Sequence, residues 1–523
     1  LSRIATSNFS ASAALTLKRG TAPHGIVIDP TGQRAYVSLE GSGEIVQFNA
    51  TTGAEDGRIN VGASPRHLSI SADGSTVYVA RFITPPLPAE GTATPDVSSA
   101  GGELLTLTAT PFALAQTIVL GHSNEPDSGG GGRGIPNYLG PASLSPAGDM
   151  AWLPSKKDNV LRGTLRDGRN LDHDSTVRSI SSRINLLGAA AEDPDARIDH
   201  DDASVASTAL FGPNGLYVFV ALEGNRQVAV VDAYGQQELF RFDVGRAPQG
   251  LALSENGRTL FVHNFMSRTV SAHDIGGVID QGTNIVTNGP VYNTVAAETL
   301  STQVLLGKQL FYDARDNRLA REDYMSCAAC HNDGDHDGRV WDFTGLGEGL
   351  RNTIDLRGKG GVGHGPLHWS ANFDELQDFE NQIRGFAEGT GLIASGSPHA
   401  PLASPNAGRS ADLDALAAYV SSLNATTDSP FRQSDGNLTS AAAQGQAVFR
   451  TKNCAECHSG SSFTDSAPNN LHDIGTIKTS SGSRLGGNLS GIDTPTLRGL
   501  WNGAPFLHDG SAATIADAIT AHT

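Results

Sequence analysis

Residues 24–32 read His24-Gly25-Ile26-Val27-Ile28-Asp29-Pro30-Thr31-Gly32, and Ala35-Tyr36-Val37-Ser38 follow just after the turn. An alternating apolar run, an Asp-Pro-Thr-Gly turn and a second β-rich run make a strand–turn–strand unit. The same wording returns from His67 to Gly74 with Val77-Tyr78-Val79-Ala80 behind it, and again around Gly148, Gly215 and Gly257. The turn glycines lie 42, 74, 67 and 42 residues apart. A repeat near 42 residues is the length of a four-stranded propeller blade. Gly43–Phe48 and Arg226–Asp232 supply outer-strand patterns. Insertions fill the wider gaps: a Pro-rich stretch at 84–99, a Gly run at 128–134 and an acidic loop at 191–202. Five blades are readable, and residues 1–20 read as outer strands of another. The expectation is an all-β propeller of six to seven four-stranded blades over residues 1–285.

The pattern changes after about residue 285. Stretches 298–311, 373–386, 411–423 and 439–450 carry the 3.6-residue periodicity of amphipathic helices. Residues 276–296, rich in Gly, Asn and Val, read as a linker. All four cysteines and nine of the 16 histidines fall in 286–523. The expected fold class is therefore multidomain, with the propeller followed by mainly α domains at 286–435 and 436–523.

Composition narrows the function. The 523 residues carry 37 Lys+Arg against 55 Asp+Glu, a net charge of −18, which argues against a nucleic-acid partner. No apolar run is long enough for a membrane span. Four cysteines are too few for a disulfide framework. The chain starts at Leu1 without Met, so a processed chain with its signal peptide removed is expected.

The cysteines form two clusters, Cys327-Ala328-Ala329-Cys330-His331 and Cys454-Ala455-Glu456-Cys457-His458. Each is C-x-x-C-H, the attachment signature of c-type haem. Two thiols three positions apart add to the haem vinyl groups, and the adjacent His supplies an axial nitrogen. A redox dithiol or a zinc site is the bland alternative, but zinc would need the two clusters to converge. Each cluster also follows a Gly-containing helix, Leu306-Gly307-Lys308-Gln309-Leu310-Phe311 and Gln444-Gly445-Gln446-Ala447-Val448-Phe449. Two covalent c haems are expected, hence a periplasmic or cell-surface setting. After His458 there is no Met and no Tyr, so His472, His508 and His522 remain as sixth ligands for the second iron.

The repeats of the first half resemble the YVTN-type, lactonase-like bacterial propellers. In the second half, Thr494-Pro495-Thr496-Leu497-Arg498-Gly499-Leu500 and Ala504-Pro505-Phe506-Leu507-His508-Asp509-Gly510-Ser511-Ala512-Ala513-Thr514 resemble the C-terminal signature of the bacterial di-haem cytochrome c peroxidase and MauG family. Residues 300–331 and Arg351-Asn352-Thr353 resemble other parts of that family. The resemblance implies two cytochrome c-like haem domains, with hydrogen peroxide reduced at the haem on His331 and electrons entering through the haem on His458. It places the second sixth ligand about fourteen positions after His508, at His522. That is a departure from the family's Met or Tyr. It implies Trp369 as the bridge between haems, Glu388 or Glu380 as the distal acid, and Ca²⁺ held by Asn352, Gly503 and Pro505. His336, His364 and His368 are further candidate ligands for the first iron in a resting state, and the Gly-rich 358–365 segment reads as a mobile loop beside it. An electron-donating c-type cytochrome or other small redox protein is the expected partner. Two rivals stand beside the peroxidase: a MauG-like oxidase modifying a protein substrate docked on the propeller, and a non-enzymatic electron-transfer protein. The acidic residues Glu192, Asp193, Asp195, Asp199, Asp201 and Asp202 read as a solvated surface loop or, less simply, a second Ca²⁺ site. His24, His67, His122 and His263 read as ordinary core or turn residues of the propeller.

Overall fold

The computed structural model describes residues 1–523 apart from Thr6 and Thr523. Five antiparallel sheets follow one another along the first half. The opening pair β1 (Ser2–Ile4) and β2 (Ala11–Ala13) forms its own small ribbon. The first blade is β3 (Pro23–Ile28), β4 (Arg34–Leu39), β5 (Glu44–Asn49) and β6 (Glu55–Asn60). The second is β7 (Pro65–Ile70), β8 (Thr76–Arg81), β9 (Gly102–Ala109) and β10 (Phe112–Leu120). The third combines β11 (Ile135–Asn137), β12 (Ser143–Leu144), β13 (Met150–Asp158), β14 (Val177–Asn185) and β15 (Ala191–His200). The fourth is β16 (Ala206–Phe211), β17 (Tyr217–Leu222), β18 (Gln227–Asp232) and β19 (Gln237–Asp243). The fifth is β20 (Pro248–Leu253), β21 (Thr259–Asn264), β22 (Thr269–Asp274) and, after the short helix α1 (Gly276–Gln281), β23 (Thr287–Asn293).

Adjacent sheets share their cores. Tyr36 and Ile45 of the first meet Leu68, Val77 and Val79 of the second. Leu104 and Leu120 meet Leu139 and Leu153 of the third. Trp152 is packed against Val218 and Val220 of the fourth, and Phe219 and Val230 against Leu260 and Val262 of the fifth. This is sheet-on-sheet packing of alternating inward residues.

The structure corrects the expected fold class in two respects. It is a five-bladed propeller and not one of six to seven blades. The described residues of 1–20 add no strand to the five blades; Leu1, Leu15 and Leu17 pack on the first sheet beside Val37, Leu39 and Phe48. The second half is not a pair of mainly α cytochrome domains. Helix accounts for only 17% of the chain. After β23 the α-helices are α2 (Thr302–Phe311), α3 (Glu380–Gly385), α4 (Ala411–Ser422), α5 (Ser440–Thr451) and α6 (Ile515–Thr520), separated by long irregular segments. The strands there are short pairs, β24 (Val340–Asp342) with β25 (Leu350–Asn352) and β26 (Leu471–His472) with β27 (Ile492–Asp493). The periodic stretches did mark helices; the mistake lay in extending them to the aperiodic sequence between.

Two local readings also change. The acidic segment 191–202 contains the strand β15, and four of its carboxylates are paired: Glu192 with Arg197 at 2.6 Å, Asp199 with Lys157 at 2.6 Å, Asp201 with Arg178 at 2.9 Å, and Asp193 with Arg183. The 276–296 stretch holds α1 and β23, so the fifth blade runs past residue 285. Among the described residues no helix is long and apolar enough to cross a membrane.

Residues 312–342 lie across the end of the propeller where the second strands of the blades finish. Asp313 pairs with Arg226 and with Arg246 at 2.5 Å, and Asp333 with Arg66 at 3.3 Å. The Pro-rich insertion 84–99 grips the same segment. Arg339 donates to the carbonyls of Thr84 and Pro85, its guanidinium is 3.3 Å from Glu90, and Val340 N–H donates to Glu90 Oε1 at 2.8 Å.

Candidate functional site

The first motif occupies a single tight turn. Cys330 and His331 N–H groups both donate to the Cys327 carbonyl, at 3.3 and 2.9 Å, so both thiols and the imidazole project from one turn of chain. Cys327 borders the cluster built by α2 and α4, while Cys330 borders Trp341 and Val177 and Val205 of the propeller. Burial pushes the Cys327 thiol up to about 11 and Cys330 well above its usual value, with Asp337 adding to the latter. Neither thiol is in a disulfide. His331 Nδ1 lies 3.1 Å from the Asp335 carbonyl. A carbonyl only accepts, so Nδ1 carries the proton and Nε2 is left with its lone pair for a metal. Thiols and imidazole thus fit a covalent c haem.

Propeller residues hold this turn from the other side. Tyr138 Oη donates to the Cys330 carbonyl at 2.9 Å, and Asn332 Nδ2 reaches Glu223 Oε1 at 3.3 Å. Tyr138 also stacks on Phe82 with ring centroids 4.5 Å apart. Glu223 is buried and pushed up to about 8 by desolvation, with Asp333 adding to the effect. None of these residues is marked by a local motif. The first motif is therefore built into the joint between the propeller and the second half.

The second motif stands further from any core. Its turn repeats the first: His458 N–H donates to the Cys454 carbonyl at 3.0 Å, and Cys454 is exposed. His458 Nδ1 lies 3.1 Å from the Phe463 carbonyl and His522 Nδ1 lies 2.7 Å from that of Ala518, so in each ring Nδ1 carries the proton and Nε2 the lone pair. The two rings have their centroids 6.4 Å apart. Two imidazoles bound on opposite sides of one metal, at about 2 Å per bond plus the ring radius on each side, put their centroids about 6 Å apart. His458 and His522 fit a single iron between them.

Most of the other candidate ligands are engaged elsewhere. His508 Nε2 bonds Ser481 Oγ at 2.7 Å, and burial drives it down to about 4. His472 Nε2 pairs with Asp465 at 2.9 Å, within a group whose ligand atoms, Cys457 included, lie within 4.8 Å of one another. His336 Nε2 bonds the Asn502 carbonyl at 2.8 Å, and His368 Nδ1 bonds Asn372 at 2.7 Å. His364 keeps a buried Nδ1 without a partner. Among the described residues no ring is paired with His331 as His522 is with His458. Of the propeller histidines, His24 and His67 meet edge to face at 5.1 Å, His122 bonds Asn124 at 3.2 Å, and His263 lies beside Phe265.

Trp369 lies between the two halves of this region. Its Nε1 donates to the Asn352 carbonyl at 2.8 Å, and its own carbonyl accepts from Asp493 N–H at 2.8 Å. The two glutamates have different surroundings. Glu380 is fully buried and accepts from Arg384 Nε at 2.8 Å and from the N–H groups of Leu392 and Ile393 at 2.9 and 3.1 Å. Glu388 is exposed and pairs with Arg321 at 3.1 Å and His173 at 3.4 Å. Lys359, which the sequence did not single out, is lowered to about 8 by burial, with Asp355 opposing the shift. It sits on the Gly-rich segment beside His331, whose own value it helps to lower.

Asn352 and Pro505 are brought together. Asn352 Nδ2 is 2.5 Å from the Pro505 carbonyl, while its Oδ1 is buried without a partner. The amide N–H takes up the Pro505 carbonyl, and the orphaned Oδ1 is an oxygen of the kind that suits a hard cation. Gly503 lies two residues before Pro505, and its N–H donates to the Leu500 carbonyl at 3.3 Å.

No family model matches the chain. Hydrazine synthase subunit gamma of Kuenenia stuttgartiensis is 28% identical over 233 residues, covering 37% of this chain and 63% of that protein. The match thus spans less than two thirds of the relative's length. Among solved structures, Kuenenia stuttgartiensis hydrazine synthase aligns at a TM-score of 0.35 and 13% identity, covering 52% of this chain and 88% of that one. The β-propeller domain of Myceliophteria thermophila Cps50 aligns at 0.36 and 10%, covering 53% and 73%. These relatives do not extend to the di-haem peroxidase and MauG family. The five sheets themselves make this a β-propeller protein.

Proposed function

We propose that the chain is an extracytoplasmic c-type di-haem oxidoreductase. Cys454, Cys457 and His458 would hold one haem, with His522 as its second axial ligand; Cys327, Cys330 and His331 would hold the other. The observation that carries this reading is the asymmetry of the two motifs. His458 has a second imidazole at the spacing of a shared iron, and among the described residues no ring pairs with His331 in that way. An iron held by two protein ligands passes electrons, while one with an open position can bind and reduce peroxide.

The residues divide the work accordingly. Asp335 orients His331 through Nδ1, and Phe463 and Ala518 do the same for His458 and His522. Trp369, hydrogen-bonded to Asn352 on one side and Asp493 on the other, would connect the two sites. Lys359 is the titratable group beside His331 that can give up or take a proton near neutral pH. Glu380 is committed to structure. The Asn352 Oδ1 would be an oxygen ligand for Ca²⁺, and the Pro505 carbonyl a second once the amide turns over.

Hydrogen peroxide is the proposed substrate and a small c-type cytochrome the proposed donor. The test is peroxide-dependent oxidation of a reduced small cytochrome by the haem-loaded protein. Turnover supports the peroxidase; a protein that exchanges electrons with the donor but ignores peroxide sinks it. The relative's name favours a second reading, a redox subunit of a larger enzyme. Co-purification of a stoichiometric partner from the native source would support that reading, and a protein isolated intact without one would count against it.

A further inference from the structure

A closed set of buried charges lies between the third blade and the first motif. Lys156, near the end of β13, is fully buried. Its Nζ is 2.8 Å from Asp158 Oδ1, 3.4 Å from Asp337 Oδ2 and 4.4 Å from the centroid of the Tyr138 ring. Asp158 and Asp337 are also fully buried. Asn137 Nδ2 donates to Asp158 Oδ2 at 2.8 Å and to the Asp337 carbonyl at 2.9 Å, and Trp341 Nε1 donates to Asp337 Oδ2 at 3.2 Å.

Such a cluster is a poor way to stabilise a fold. Desolvating the charges offsets most of their attraction, and apolar side chains of similar volume often do better. Its position suggests another use. Tyr138, under the Lys156 ammonium, donates to the Cys330 carbonyl at 2.9 Å, and Asp337 lies against the Cys330 thiol. Two carboxylates and one ammonium are thus set beside the attachment turn, and two of the three come from the propeller.

We infer that Lys156 is a positioning residue for the first haem: it holds Tyr138 and Asp337 against Cys330 and sets the local charge that fixes the reduction potential of the iron on His331. The inference rests on the haem reading of Cys327, Cys330 and His331. A cation in a dry site stabilises an added electron more than it does in water, and a buried anion opposes one. Removing Lys156 therefore lowers the potential of the first haem, and removing the Asp158 charge raises it.

The experiment is a spectropotentiometric titration of the full-length, haem-loaded chain and two variants, Lys156→Met and Asp158→Asn. The first midpoint is expected to fall in Lys156→Met and rise in Asp158→Asn, with the second midpoint unmoved in both. Opposite signs separate a charge effect from loosened packing, which would shift both variants the same way. Unmoved midpoints, or shifts of one sign, overturn the inference while leaving the haem reading intact. A haemochrome assay that finds no haem on Cys327 and Cys330 overturns both.

Discussion

His522 and Asp493 show what single residues contribute. His522 became a candidate because the sequence after His458 offers no Met or Tyr, and the folded chain puts its ring 6.4 Å from that of His458. His522→Ala should convert the second haem from low-spin to high-spin or water-ligated, read by its visible spectrum. Asp493 is a buried carboxyl raised to about 7 by desolvation, with one oxygen unpaired. Its folded value lies above its unfolded one, so the folded state holds the proton longer. Stability is then lost as pH rises from about 4 to about 7. Asp493→Asn should stabilise the protein at pH 8 by about 2 kcal/mol or more, and by much less at pH 4, in urea denaturation. An equal effect at both pH values would contradict this. The two C-x-x-C-H motifs were legible because each lies within five consecutive residues. Tyr138 and Lys156 were not, because their partners Cys330 and Asp337 lie 192 and 181 residues away along the chain.

At the scale of elements, the two Gly-containing helices before the motifs have different surroundings. A Cβ on Gly307 in α2 would lie 1.8 Å from the Ala415 carbonyl of α4, so the two helices cross at that residue. Gly445 in α5 has nothing nearby. Gly307→Ala should therefore destabilise by about 2–3 kcal/mol. Gly445→Ala should be neutral or stabilise by up to about 1 kcal/mol, because an exposed helical Gly costs entropy. Thermal denaturation checks both; a Gly307→Ala protein as stable as the parent would refute the crossing. Periodicity located these helices well. It failed where it had no purchase, in the short turns and irregular segments that make up most of the second half. Strand β15 was mistaken for an acidic loop because Glu192, Asp193 and Asp199 are taken up by Arg197, Arg183 and Lys157.

At the scale of the whole molecule, the propeller is more than a neighbour of the second half. Blades and the 84–99 insertion hold residues 312–342 through Arg66, Arg226, Arg246 and Glu90, so the first motif sits in a joint while the second stands nearer to solvent. The blade repeat was visible in the turn glycines, but the blade count was not, since residues 1–20 carry strand-like sequence that packs as a cover. The net charge of −18 favours a basic electron donor. The rate of reduction by such a donor should fall steeply as salt is raised; a rate indifferent to salt would rule out charge-steered docking. The most direct test of an asymmetric di-haem site is the EPR spectrum of the ferric, haem-loaded protein. One low-spin signal from the haem on His458 and one high-spin signal from the haem on His331 are expected, whereas two low-spin signals would contradict the assignment.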